Sequence, residues 1–295
     1  MDTTEKIKVQ ILNAFTDHNK GGNPAGVVLD ADHLSNKHKL EIASKVGLSE
    51  TAFVSTSKIA DFKLDFFTPN RQIAHCGHAT IATFSYLKQL GVVKNKHSSK
   101  ETIDGIRNIK LTGDMAFMEQ TSPQYIDVNH RKDQILDSLG IKNSELLPNT
   151  SIQLVNTGNS FLLIPVKSSE VLKNIVPDYE LITKISNEFD LIGFYPFTTE
   201  VNNPERDAST RMFGPRYNIP EEAGTGMAAG PLACYLYEKL NIKKDRFLIQ
   251  QGEYMKEPST SLIIVDLKIE NNKIQSLMAG GKGSLQNQTE IEIRV

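Results

Sequence analysis

Two stretches of the chain follow the same course, and that repetition constrains the fold more than any other feature. Over residues 61–67, Phe62, Leu64 and Phe66 alternate with Asp61, Lys63 and Asp65 as in a strand. The alternation breaks at Thr68-Pro69, a polar loop follows, and Cys76-Gly77-His78-Ala79 leads into a helical pattern. Residues 211–236, RMFGPRYNIPEEAGTGMAAGPLACYL, repeat these events. Phe213-Gly214-Pro215 stands where Phe67-Thr68-Pro69 stood, and Ala223-Gly224-Thr225-Gly226 falls where Cys76-Gly77-His78-Ala79 fell. The pattern predicts two similar lobes, each with a glycine-started helix behind a strand-proline loop, facing a shared cleft.

The flanking elements repeat as well. In the first half, Ile7, Val9 and Ile11 read as a strand, and Gly26-Val27-Val28-Leu29 as its partner after a Gly-Gly-Asn-Pro turn. Ser35 then caps a helix bearing Leu40, Ala43 and Val46, stopped by Gly47. The strand over 62–67, a helix over 79–90 and a hairpin turning at Gly113-Asp114 follow. In the second half, strands flank Asn156-Thr157-Gly158, a helix carries Leu181, Ile185 and Phe189, and strands are expected over 191–197 and 209–213. The tail supplies strands at 247–249, 262–269, 276–279 and 291–295. The polar stretch around Pro123 marks the crossing, so the lobes are expected over 1–122, completed by 285–295, and over 123–284.

At 295 residues the chain is long enough for two such lobes, each with a full core. A net charge of −2 gives no basic footprint for nucleic acid or an anionic membrane, and no apolar run is long enough to span a bilayer. The polar start lacks the apolar core of a signal peptide. Cys76 and Cys234 are the two cysteines, one in each half, so a disulfide framework is not expected and a reducing cytoplasm is. Cys234 lies among Leu232, Leu236 and Leu240, where a core thiol is the favoured reading.

The chemistry concentrates at the two helix starts. The first amides of a helix lack partners and carry the positive end of its dipole, which suits a carboxylate or an enolate-like anion. Cys76 and His78 would face the same ligand; a buried thiol at a structural helix start is the bland alternative. His75, Cys76 and His78 suggest a metal cluster, but no CxxC or second ligand pair accompanies them, and no metal is expected. Glu50 stands at a strand start, where a site between elements could use it or where it could be a solvated surface residue. Gly224-Thr225-Gly226-Met227-Ala228-Ala229 fits G-x-G-x-x-[GA], with Glu253 as a possible ribose acid. The loop 214–223, with Glu221-Glu222, separates strand from glycine and argues against a dinucleotide.

Taken together, NPAGVVL, LSETAFV, FFTPNRQIAHCGHAT, VNTGNSFLLIPV, RMFGPRYNIPEEAGTGMAAGPL and QGEYMKEPS, in that order along nearly the whole chain, resemble the PhzF family of phenazine-biosynthesis isomerases and, more distantly, diaminopimelate epimerase. The resemblance implies an α+β fold of two pseudo-symmetric lobes, each a mixed β-barrel-like sheet around a central helix, usually as a homodimer. It implies a cofactor-independent isomerase acting on a small carboxylate-bearing metabolite. By motif, Glu50 falls on the family's acid/base glutamate, and His78 on a histidine that orients substrate or assists protonation. Glu222 stands where the family commonly has Asp, in EDPATGS. The amides around Gly77, Ala79, Gly224, Thr225 and Gly226 would hold the substrate anion. The epimerases use one cysteine per lobe; Cys76 matches the first, but Ala223 holds the second place, which disfavours a two-thiol racemase. An epimerase using Cys76 with Glu222, and a non-catalytic small-molecule binding protein, are the alternatives.

Overall fold

The computed structural model describes residues 4–294, which leaves Val295 of the last expected strand outside the description. The chain divides into two compact units, Met1–Glu119 with Gly280–Val295, and Gln120–Ala279.

The first unit opens with β1 (Thr4–Ala14) and β2 (Asn23–Val28), followed by α1 (Asn36–Val46) and β3 (Thr51–Ser55). Ser35 caps α1 by accepting from the His38 amide, and Gly47 ends it at φ 71°, a left-handed cap that glycine adopts without steric cost. Next come β4 (Phe62–Phe67), the two-residue β5 (Gln72–Ile73), α2 (Gly77–Gln89), β6 (His97–Thr102), β7 (Gly105–Thr112) and β8 (Met115–Thr121). Pairing begins antiparallel from β1 to β2, continues parallel to β3 and antiparallel to β4, then parallel to β6 and antiparallel to β7.

The second unit follows the same plan. It runs through β9 (Gln124–Asp127), α3 (Lys132–Leu139), β10 (Gln153–Asn156), β11 (Ser160–Pro165), α4 (Ser169–Lys173), α5 (Tyr179–Glu188), β12 (Gly193–Thr198) and β13 (Ala208–Thr210). After α6 (Gly226–Glu238) come β14 (Arg246–Gln251), β15 (Ser261–Glu270) and β16 (Lys273–Lys282), and β17 (Ser284–Arg294) returns to the first unit, antiparallel to β1. From β10 to β11 the pairing is antiparallel, then parallel to β12, antiparallel to β13, parallel to β14 and antiparallel to β15. The alternation of the first unit therefore recurs strand for strand, with α2 and α6 inserted at the same point.

Each repeat wraps its sheet on that inserted helix. α2 touches β1, β2, β3, β7 and β17, so both ends of the strand order reach it. Its residues 78–85 and Leu87 are all buried. α6 touches β11 and β15 and is buried from Ala228 to Tyr237. A helix enclosed on every side has no polar stripe, which explains the small residues of both, Ala and Thr in α2 and Ala and Gly in α6. Shorter helices cover the outer faces. α1 packs with Ile42 and Ala43 on Val9, Phe53 and Phe67, and α3 and α5 with Leu139, Ile182 and Ile185 on Leu154, Leu162 and Phe194.

Three elements differ from expectation. β6, HSSKET, is polar and gives no apolar alternation, and α3 lies in the stretch read as a featureless crossing. The strand expected over 209–213 ends as a strand at Thr210, although the Arg211 amide still donates to the Pro196 carbonyl at 3.1 Å and Phe213 pairs with Phe194 in an isolated bridge. Both cysteines are free and buried, and no described helix is long and apolar enough to cross a membrane.

Candidate active site

Backbone pairing puts Glu50 where it stands. It precedes β3, and its carbonyl accepts from the Gly26 amide at 3.0 Å where β2 and β3 run parallel. Its buried side chain reaches His78 in the first turn of α2, with Oε2 3.4 Å from Nε2. The Cys76 thiol lies against the same imidazole, 3.6 Å from Nδ1 and 4.0 Å from Nε2. Three ionisable groups from two segments thus meet in one buried place, and their ligating atoms all lie within 4.8 Å of one another. Glu50 Oε2 makes no hydrogen bond among the described residues, and His78 Nε2 at 3.4 Å is its polar neighbour.

Burial pushes the Cys76 thiol up, and the Glu50 carboxylate adds to this; the His78 ring and the Ala79 amide pull the other way without prevailing. At neutral pH Cys76 is therefore a thiol, a proton donor rather than a thiolate ligand. The same trio is the group that a thiophilic cation could use after the thiol lost its proton. His75 is outside it, because its Nδ1 is taken by Lys100 at 3.1 Å. The His75–Cys76–His78 grouping that the sequence suggested, and from which no metal was expected, is not the one that comes together: Glu50 stands beside Cys76 and His78 in its place.

In the second unit, α6 starts at Gly226 with Thr225 as its cap residue. The Thr225 hydroxyl donates to the Glu222 carboxylate, and the buried Gln251 holds the loop: its Nε2 donates to the Glu222 carbonyl at 2.7 Å, and its Oε1 accepts from the Thr225 amide at 3.0 Å. Tyr195 also donates to Gln251 Oε1, at 2.9 Å, and burial keeps that phenol protonated. Glu221 is committed elsewhere, in a two-pronged bond to Arg211 at 2.8 Å on each side. Of the two adjacent carboxylates that argued against a pyrophosphate, one is therefore already neutralised. The other objection to a dinucleotide stands, since residues 211–225 separate β13 from α6. Glu253 accepts from Gln250 at 2.5 Å and Asn202 at 3.4 Å.

Sequence reasoning missed Lys100, which lies in β6 against the back of α2, and Gln251. The first sits in a strand without an apolar pattern. The second had a signal, its place at the head of QGEYMKEPS, but a lone glutamine has no spacing to betray its partners.

The chain is similar to known proteins in sequence and in fold. An uncharacterized isomerase of Bacillus subtilis is 33% identical over 255 residues, covering 84% of this chain and 87% of its own. The crystal structure of a PhzF-family phenazine biosynthesis protein from Bacillus anthracis superposes with a TM-score of 0.88 at 28% identity, covering 97% of this chain and 99% of that one. A hydroxyproline epimerase from Agrobacterium vitis, at 10% identity, TM-score 0.60 and coverage of 100% and 95%, shares the fold alone. The PhzC-PhzF family model, described as phenazine biosynthesis-like protein, matches residues 12–287, and the chain belongs to that family.

Proposed function

We propose that the protein is a cofactor-independent isomerase that moves a proton between carbons of a small carboxylate-bearing metabolite, with Glu50 as the proton carrier. The observation that carries this reading is the buried Glu50 carboxylate, with no hydrogen bond on Oε2, against His78 and within 4.8 Å of a protonated thiol. Glu50 takes the proton from one carbon and returns it to another. His78 holds the carboxylate through Nε2 and steadies the charge that changes there. The start of α2 at Gly77 supplies the positive helix end for the anion that develops. Glu222 keeps the assisting role and the Gly226 amide the anion-holding role that their motif suggests, whereas the Thr225 amide expected to share it is spent on Gln251 Oε1. Family membership and isomerase-named relatives support the reaction class.

A panel of amino, hydroxy and dihydroaromatic carboxylic acids, followed by NMR for conversion, tests this. Glu50→Gln is expected to lower kcat by roughly 10²–10⁴-fold, the usual worth of one positioned acid/base group, while ligand analogues still bind. A protein that binds panel members and converts none is the non-catalytic alternative. The proximity of Cys76 to His78 favours an epimerase as the second reading. There Cys76→Ala abolishes inversion at a stereocentre, whereas in the reading preferred here it leaves most of the activity.

A further inference from the structure

Behind the first turn of α2, β6 carries a charged residue that the proton transfer does not use. Lys100 is fully buried, and no carboxylate among the described residues lies within ion-pair distance of its ammonium. Its neighbours are the Thr80 hydroxyl at 2.5 Å, the His75 Nδ1 at 3.1 Å and the Phe66 ring, whose centroid is 4.8 Å away. The direction of each bond can be worked out. Thr80 spends its hydroxyl hydrogen on the Cys76 carbonyl at 2.6 Å, so Lys100 donates to Thr80. An ammonium has only donors, so His75 must offer a bare Nδ1 and carry its proton on Nε2. The third N–H is left for the face of Phe66. Three donors meet three neutral acceptors, and two of those acceptors hold the residue on either side of the helix start. Packing alone would favour an apolar side chain here, since a buried unpaired ammonium carries a large desolvation cost.

We propose that Lys100 is a positioning residue of the Glu50–His78–Cys76 site: through Thr80 it fixes the Cys76 carbonyl, and through Nδ1 it holds His75 as the Nε2–H tautomer, an N–H donor beside the anion-receiving helix start. This rests on the reading of that helix start as a ligand site. Nothing described engages His75 Nε2, and His75 is only half-buried, so the donor is open to solvent or a ligand. Burial, then the Lys100 and Arg107 charges, keep His75 neutral. Burial pulls Lys100 down to about 7, with Arg107 acting the same way and Asp104 against it. The hold is accordingly firm in mildly acidic solution and loosens as the pH rises through about 7.

The test is NMR of the full-length protein with nitrogen-labelled histidine, using long-range proton–nitrogen correlations that distinguish the two tautomers, with His75 assigned by its loss in His75→Gln. Wild type is expected to show His75 neutral and protonated on Nε2. Lys100→Met should release it to a tautomer mixture with a titration moved toward the ordinary histidine value, and Lys100→Arg should restore the single tautomer. A wild-type His75 protonated on Nδ1 overturns the proposal even if Lys100→Met fails to fold. So does a folded Lys100→Met with an unchanged His75. No substrate is needed, so failure here is separate from failure of the isomerase reading. If chloride, acetate and the carboxylate panel leave the His75 Nε2 resonance unmoved while Glu50-dependent conversion is seen, the ligand-facing part falls and the isomerase stands.

Discussion

Adjacent glutamates in the second loop have opposite roles, and the reason lies in what each one meets. Glu221 is tied to Arg211, whose Nη1 also donates to the carbonyls of Leu172, Lys173 and Ile175, so the pair closes that corner of the second unit. Both side chains are nearly buried. Glu221→Gln leaves a guanidinium without its counter-charge and is expected to cost about 3 kcal/mol or more in urea unfolding. Glu222→Gln, whose carboxylate meets a hydroxyl of its own loop, should cost less than about 1 kcal/mol. Equal losses would contradict the assignment. Lys100 gives a pH signature at the same scale. Folded, it titrates at about 7; unfolded, it returns to the ordinary lysine value, so between the two the unfolded chain binds more protons and stability rises with pH. Below about pH 7 both states are charged and the whole penalty is present. Relative to Lys100→Met, wild type should therefore gain on the order of 3 kcal/mol between about pH 7 and 10. Parallel stability curves for the two proteins would refute this.

At the scale of elements, the small residues of the central helices and inner strands are close approaches. A Cβ on Gly230 in α6 would collide with Gln120, whose amide donates to the Gly226 carbonyl and whose oxygen accepts from Thr157. On Gly26 in β2 it would come within 2.7 Å of the Thr51 hydroxyl, one residue from Glu50. Gly26→Ala should thus cost about 1–3 kcal/mol by overpacking and, by shifting the start of β3, reduce activity beyond its effect on stability. Activity that falls only in step with the folded fraction would separate Glu50 from its strand. The elements with apolar periodicity or caps, such as α1 between Ser35 and Gly47, are legible in the sequence. β6 is not, because its buried positions are the polar Ser98, Lys100 and Thr102, and the partners of Ser98 and Lys100 lie on distant segments.

For the whole molecule, the repeat is the deepest feature that the sequence reveals. The echo of Phe67-Thr68-Pro69 in Phe213-Gly214-Pro215 marks equivalent points in two units whose strand pairings alternate identically. It does so because each unit needs the same solution, a sheet curled on a helix small enough to be enclosed. The site was only partly legible. Cys76 and His78 are neighbours in sequence, but Glu50 joins them through the parallel pairing of β2 and β3, a long-range contact that no local pattern encodes. That convergence is the basis of the central claim, that Glu50 carries the proton. The direct measurement is deuterium incorporation in D₂O, by mass spectrometry, into whichever panel acid the wild type converts, run beside Glu50→Gln. The account predicts at most one solvent deuterium with wild type, confined to the newly protonated carbon and set by how far the Glu50 carboxyl exchanges before it returns the proton, and a rate lower by roughly 10²–10⁴-fold with the variant. Incorporation by Glu50→Gln at the wild-type rate would contradict it.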